Sequence, residues 1–386
     1  MSERFWALDE SVTFLNHGSF GACPVPVLET QSELRRRMEA EPVRFLDGEL
    51  EGLLDEARWA LGCFVGADPD DLAFVPNATF AVNTVLRSRR FRSGDEILVT
   101  DMEYNACRNA ADFAAGEGAK VVVARVPFPG TTPQAVEEAV LAAVTSRTRL
   151  ALISHIVSPT GLVLPIERLV PELESRGVDV LVDGAHAPGQ VPLDLRKLGA
   201  AYYAGNCHKW LCAPKGAAFL HARRDRQSSL RPLAISHGAN SRRTDRSRFR
   251  LEFDWTGTDD PTPYLCVPQA IRTLEARVSG GWPQIMRRNR ELALRARDIL
   301  CAVLGAAAPC ADGMVGAMAA VPLPERLTGA PPPPDGRDAL SALLFEKHRI
   351  EVPVFAWPDA GRKLMRVSAQ LYNRPEHYEA LAAALR

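Results

Sequence analysis

RLALISHI (149–156), PIERLVPELESRG (165–177) and VDVLVD (178–183) follow one another along the chain, and their order decides the fold. The first and third are short apolar runs rich in Val, Ile and Leu. The second has helical periodicity and is closed by Gly177, a residue suited to ending a helix. Runs apolar on both faces, joined by an amphipathic helix, are what a parallel sheet covered on both sides requires. The same alternation extends outward. LAFVP (72–76), EILVT (96–100) and KVVVARV (120–126) lie upstream, AAYYAG (200–205) and GAAFLH (216–221) downstream, and TPQAVEEAVLAAV (132–144) is a further helical stretch. The spacing predicts an α/β fold with a mostly parallel sheet, its core within 60–225.

The rest of the chain divides around that core. An N-terminal arm (1–20) precedes a large domain over 21–260, and 261–386 reads as a smaller, discontinuous α+β C-terminal domain into which the arm folds. Residues 268–305 have a helical pattern, and GAPPPPDG (329–336) is a proline-rich surface loop. NSRRTDRSRFR (240–250) is a basic stretch whose simpler reading is a solvated loop. Recognition of an acidic group on a substrate is the alternative.

Composition narrows the functional classes. The 386 residues suffice for two domains, and 46% hydrophobic with 24% charged residues is ordinary for a globular enzyme. Lys plus Arg number 46 against 47 Asp plus Glu, a net charge of −1, which argues against a nucleic-acid partner. No apolar run approaches the roughly 18 residues of a membrane span. The opening MSERFWALDESVTF is too acidic for a secretory leader, so a cytoplasmic location is expected. The eight cysteines are scattered with no CxxC pair, so neither a metal site nor a disulfide framework is expected.

Four stretches carry chemistry. In YYAGNCHKWLCAPKG (202–216), Lys209 sits among His208, Trp210 and Leu211. A desolvated lysine loses its proton more easily and can attack an aldehyde; its bland reading is a surface lysine. In VLVDGAHAPGQ (180–190), Asp183 ends an apolar strand, at the sheet edge where α/β proteins bind ligands. Helix capping is the competing role for Asp183, and a structural histidine the competing role for His186. FVPNATFAVN (74–83) places Ala78 and Thr79 where a helix begins, a position suited to phosphate or to a simple cap. TDMEYNA (100–106) offers Tyr104 for stacking on an aromatic ring, or for packing. Their joint order is a phosphate turn, an aromatic, a strand-end acid and a lysine 26 residues later. Pyridoxal phosphate needs such an acid, which keeps its pyridine nitrogen protonated.

NHGSFG (16–21), NAT (77–79), EYNA (103–106), SHIVSPTG (154–161), DGAHAPG (183–189) and GNCHKWLCAPKG (205–216) together resemble the class V, fold-type I pyridoxal-phosphate enzymes, within them the isopenicillin N epimerase-like subgroup. The resemblance covers nearly the whole chain. It implies that Lys209 carries the cofactor as a Schiff base and removes the substrate Cα proton, and that Asp183 pairs with the pyridine nitrogen. It places Tyr104 on the ring, His186 and Ser158 near the phenolic oxygen, and Ala78, Thr79, Asn206 and His208 at the phosphate. It also implies a homodimer with shared sites, in which Thr258 of WTGT (255–258) reaches the partner's phosphate. Arg366 in MRVSAQLYN (365–373) resembles the arginine that binds the substrate carboxylate, and Asn16, His17 and Ser19 belong to a segment near the substrate.

Two departures bear on the reaction. Tyr104 stands where many class V members have a histidine. DALSALLFEKHR (338–349), where a desulfurase of this group has its nucleophilic cysteine, contains none, and Cys301 and Cys310 lie far upstream. A persulfide-forming desulfurase is therefore disfavoured. The expected reaction is β-elimination, C–S lyase chemistry on an S-substituted cysteine. Cα epimerisation and class V aminotransfer are the alternatives. A non-catalytic protein of this fold has no reason to keep Lys209, Asp183 and Arg366 together.

Overall fold

A computed structural model describes residues 4–329, 336–357 and 361–386. Most of the proline-rich stretch, 330–335, lies outside the described residues. The centre of the molecule is a seven-stranded sheet in the order Leu72–Val75, Ala218–Ala222, Tyr202–Asn206, Asp179–Gly184, Thr148–Ser154, Glu96–Thr100 and Lys120–Ala124. Ala218–Ala222 pairs antiparallel with both its neighbours, and the remaining pairs are parallel.

Alternation along each strand feeds two separate cores. Ala151, Ile153, Val180 and Val182 point to one face, which packs the helices Leu50–Val65, Pro133–Ala142 and Ile166–Ser175. Leu150, Leu152 and Leu181 point to the other, against Ala78–Ser88 and Asn105–Ala115. A sheet buried on both faces has no use for polar residues in its interior. The polar side chains collect instead at the strand ends. Register places Ser154 opposite Asp183 and Gly184 opposite Gly205, so Ser154, Asp183 and Asn206 share the carboxyl edge.

A second core closes over that edge. The antiparallel strands Val354–Ala356, Lys363–Ser368 and Met318–Pro322 pack with Pro375–Ala384 through Val321, Met365, Val367 and Tyr378. The arm joins it: Thr13–Phe14 runs parallel to Ile350–Glu351, and Leu15 is buried there. The two cores meet inside a helix rather than at residue 261. Cys266, Ala270, Leu274, Trp282 and Ile285 pack with the large sheet, while Ala293, Ala296 and Leu300 pack with the small one. Helix Gly281–Leu304 has 24 residues, a length of about 36 Å, enough to reach both. The helical stretch expected over 268–305 is in fact two helices, Val267–Glu275 and Gly281–Leu304, with Gly280 (φ 90°) left-handed at the start of the second. Among the described residues no helix is long and apolar enough to cross a membrane.

Candidate active site

A cavity of about 530 Å³ opens at the carboxyl edge of the sheet, within the usual size range of small-molecule sites. Lys209 lines it, three residues beyond the strand Tyr202–Asn206. Burial lowers its ammonium pKa from 10.5 to about 8; the Arg366 cation adds to this, and Asp183 opposes it. The amino group lies 3.0 Å from His186 Nε2, and His186 Nδ1 accepts from the Trp210 indole at 3.4 Å. Indole can only donate, and burial keeps the imidazole neutral, so its single proton sits on Nε2, where it can be donated to the lysine only when the amine is unprotonated. His186 thus favours the neutral amine.

The NHGSFG segment supports the lysine from behind. His17 Nε2 donates to the Lys209 carbonyl at 3.0 Å, while His17 Nδ1 accepts from Tyr372 Oη at 2.9 Å. Burial holds His17 neutral, its pKa down to about 3. Gly21, at φ 74°, lets the chain pass so close that a Cβ there would lie 2.2 Å from the His208 carbonyl. The structure therefore sets His17 under the lysine backbone and not on the cavity wall. Ser19 does line the cavity.

Asp183, Tyr104, Ser158, Ala78, Thr79, Asn206 and His208 all come together around the same cavity. Asp183 is buried, and its oxygens are held separately: Oδ1 accepts from the Ala185 amide at 3.0 Å and Oδ2 from the Cys107 thiol at 3.1 Å. Glu103 lies close by, accepting from Ser154 Oγ at 2.6 Å and Thr100 Oγ1 at 2.8 Å. Burial, with a smaller push from the Asp183 charge, raises its carboxyl to about 7.

At the other end, Asn77 caps the 11-residue helix Ala78–Ser88 by accepting from the Phe80 amide at 2.8 Å. The Ala78 amide is already spent on Asn206 Oδ1 at 2.9 Å, so its backbone is not a free donor. The Thr79 amide and hydroxyl, and the Asn206 NH₂, have no partner among the described residues. Unspent donors at a helix N-terminus form the set that a phosphate requires. His208 is fixed by its Nδ1 on the Ala217 carbonyl at 2.9 Å, which leaves Nε2 for the cavity.

Arg366 comes from the small domain's strand Lys363–Ser368 and is only 1% exposed. Its Nη1 donates to the Ser158 carbonyl at 2.5 Å, and Nη2 donates to Ser19 Oγ at 3.1 Å and Asn16 Oδ1 at 3.3 Å. Every one of these partners is neutral. Among the described residues no carboxylate pairs with Arg366, and its Nε has no partner. Burial accordingly lowers the guanidinium pKa to about 10. A buried cation without a counter-charge is costly and suits a site that receives a carboxylate.

Thr258 is exposed and lies outside this chain's own cavity wall. The basic loop faces elsewhere too. Arg246 and Arg250 pair with Asp55, Arg250 also with Asp70 and Asp254, and Arg243 with Glu51. The Arg246 and Arg250 pairs border a separate cleft of about 1070 Å³. Sequence reasoning missed Cys107, Glu103 and the indole of Trp210. The signal for the first two is their spacing: they flank Tyr104 within one helical turn of the motif.

Residues 21–300 match the family model described as aminotransferase class-V. The chain belongs to that family. Isopenicillin N epimerase of Amycolatopsis lactamdurans is 41% identical over 98% of this chain and 96% of its own length. The epimerase of Streptomyces clavuligerus is 37% identical over 98% and 95%. An L-cysteine desulfhydrase of Arabidopsis thaliana is 30% identical over 97% and 87%. Among solved structures, a cystine C–S lyase in complex with cysteine persulfide superposes with a TM-score of 0.79 at 21% identity, each chain covered to 97%, a likeness of fold. This chain is a pyridoxal-phosphate-dependent enzyme of the class V family. The cavity's own residues fit that cofactor: a near-neutral lysine, a buried carboxylate held with room for one more donor, and unspent anion donors at a helix N-terminus.

Proposed function

We propose that the enzyme abstracts the Cα proton of an L-amino acid and eliminates a β-sulfur substituent from a cysteine-type substrate. The observation that carries this reading is the pairing of a buried, easily neutralised Lys209 with a buried Arg366 that lacks a carboxylate partner. Pyridoxal phosphate, when bound, supplies an electron sink that acidifies the substrate Cα–H. Lys209 would hold it covalently, Asp183 would pair with its ring nitrogen, and Tyr104 would stack on the ring. Thr79, Asn206 and His208 would take its phosphate, with Thr258 supplied by a second copy in a homodimer. His186 and Ser158 would lie beside its phenolic oxygen.

The chain's own groups divide the work. Arg366 takes the substrate α-carboxylate, its Nη atoms oriented by Asn16, Ser19 and the Ser158 carbonyl. Lys209, freed when the substrate amine takes its place, then accepts the Cα proton, and the electron pair left on carbon expels the β-sulfur as thiolate. Hydrolysis of the remaining fragment releases pyruvate and ammonia. Of the other ionisable cavity residues, Asp183, Tyr104, His186 and His208 are assigned to the ring, its phenolic oxygen and the phosphate, which leaves Lys209 as the base assigned to Cα. One base suffices for elimination.

Cα epimerisation is the second reading, favoured by relatives of 41% and 37% identity along nearly their whole length. It requires a second proton donor at the opposite face of Cα. Incubation with L-cysteine, L-cystine and S-alkyl cysteines, followed by pyruvate and thiol assays and chiral chromatography, separates the two. Pyruvate with matching thiol supports elimination. A D-configured product without pyruvate transfers the assignment to epimerisation, and no change in any of these substrates overturns the elimination reading.

A further inference from the structure

We propose that Cys107 is a positioning residue for the cofactor: its thiol donates a hydrogen bond to Asp183 and sets how strongly that carboxylate acts on the pyridine nitrogen. The inference rests on the pyridoxal-phosphate reading of the cavity and adds to it a residue outside the cavity wall.

The geometry is specific. Cys107 lies on helix Asn105–Ala115, one turn beyond Tyr104, and its side chain is 1% exposed. Its sulfur sits 3.1 Å from Asp183 Oδ2, while the Ala185 amide occupies Oδ1 at 3.0 Å. A carboxylate has about four lone-pair positions, so two protein donors fix its plane and leave room for the ring N–H. Burial beside the charges of Asp183 and Glu103 keeps the thiol protonated, and a protonated thiol is a donor. The same helix start thus presents Tyr104 to the cavity and a thiol to the acid at its base.

The groups facing Asp183 define the electrostatic setting. Lys209 approaches from the turn after Tyr202–Asn206, Tyr203 from that strand, and Glu103 from the segment before the Cys107 helix. None of these three donates to an Asp183 oxygen. The thiol and one backbone amide are therefore its hydrogen-bond supports among the described residues. Removing the thiol donor leaves a more basic carboxylate. More negative charge then reaches the ring, which raises the pH at which the bound cofactor loses its visible-band proton. A hydroxyl in the same place, a stronger donor than a thiol, preserves or reverses that change.

The test compares wild-type holoenzyme with Cys107→Ala and Cys107→Ser, both small replacements at a site where the side chain shrinks or is nearly isosteric. The readouts are the pH midpoint of the cofactor's visible absorption band and the Kd of pyridoxal phosphate for the cofactor-stripped protein, by fluorescence quenching. Cys107→Ala is expected to move the midpoint upward by about half a pH unit and weaken the cofactor by about threefold to tenfold. Cys107→Ser is expected to lie at the wild-type midpoint or below it. A midpoint unchanged in Cys107→Ala, or shifted upward equally in both variants, overturns the inference, the second result because it would mark packing and not donation. A wild-type protein that shows no cofactor band would overturn the functional reading itself, which distinguishes that failure from this one.

Discussion

Replacing Arg366 with methionine removes the charge and keeps most of the buried volume. Burial takes the guanidinium from 12.5 to about 10, a penalty on the cation of about 3 kcal/mol. Against this stand the hydrogen bonds to the Ser158 carbonyl, Ser19 and Asn16, each contributing about 1 kcal/mol. The two nearly cancel, so the ligand-free protein is expected to keep its unfolding free energy to within about 1 kcal/mol. Substrate affinity has no such compensation. A buried carboxylate left without its partner costs about 3 kcal/mol, roughly two orders of magnitude in KM. Urea unfolding of the cofactor-free protein reads the first quantity, and steady-state kinetics with the best sulfur amino acid reads the second. A methyl ester of that substrate supplies a control: wild type should discriminate strongly against it, and Arg366→Met hardly at all. An unchanged KM, or a large stability loss with unaltered discrimination between acid and ester, would refute the assignment of Arg366 to the substrate.

Three further outcomes follow from the same charges. The rate at which cofactor-free protein captures pyridoxal phosphate should rise with pH through about 8 and then level off, because the neutral Lys209 amine is the attacking form; a profile still rising toward the ordinary 10.5 would contradict it. In Arg366→Met that midpoint should move upward, since the Arg366 cation is the second cause of the lowered lysine value; stopped-flow absorbance measures both profiles, and an unmoved midpoint would show that the two groups do not interact. Glu103 has its folded value raised from 4.5 to about 7. Its contribution is therefore undiminished below 4.5 and lost as pH rises to about 7, a change of about 3 kcal/mol. Urea unfolding at roughly pH 4.5 and pH 8 should accordingly show Glu103→Gln gaining on wild type at the higher pH; an identical difference at both would place the buried proton elsewhere.

The sheet is legible in the sequence because its strands are buried on both faces, so Leu150–Ile153 and Val180–Val182 carry unbroken apolar runs that no surface strand would tolerate. Lys209, Asp183 and His186 are legible for a related reason: each ends a strand or follows one closely, and the carboxyl edge is where such a sheet holds ligands. Contacts between distant segments are less so. Arg366 meets Asn16, Ser19 and Ser158 across 350, 347 and 208 residues of sequence, and the resemblance alone links them. His17 carries the motif's name but sits beneath the lysine, held by Tyr372 and the Lys209 carbonyl, a role that depends on how the arm packs. The Ala78 amide is consumed by Asn206, a side chain 128 positions away. The boundary between the cores escaped because helix Gly281–Leu304 is amphipathic along its entire length while serving two different cores.

The central claim is that Lys209 removes the Cα proton of an amino acid bound beside it. Proton NMR in D₂O of cofactor-loaded wild type and Lys209→Ala, each with a panel of L-amino acids and S-substituted cysteines, tests it directly. Wild type should lose the Cα–H signal of at least one substrate, by exchange or by conversion to pyruvate, while Lys209→Ala leaves every such signal intact. Equal loss of the signal in both proteins would contradict the account.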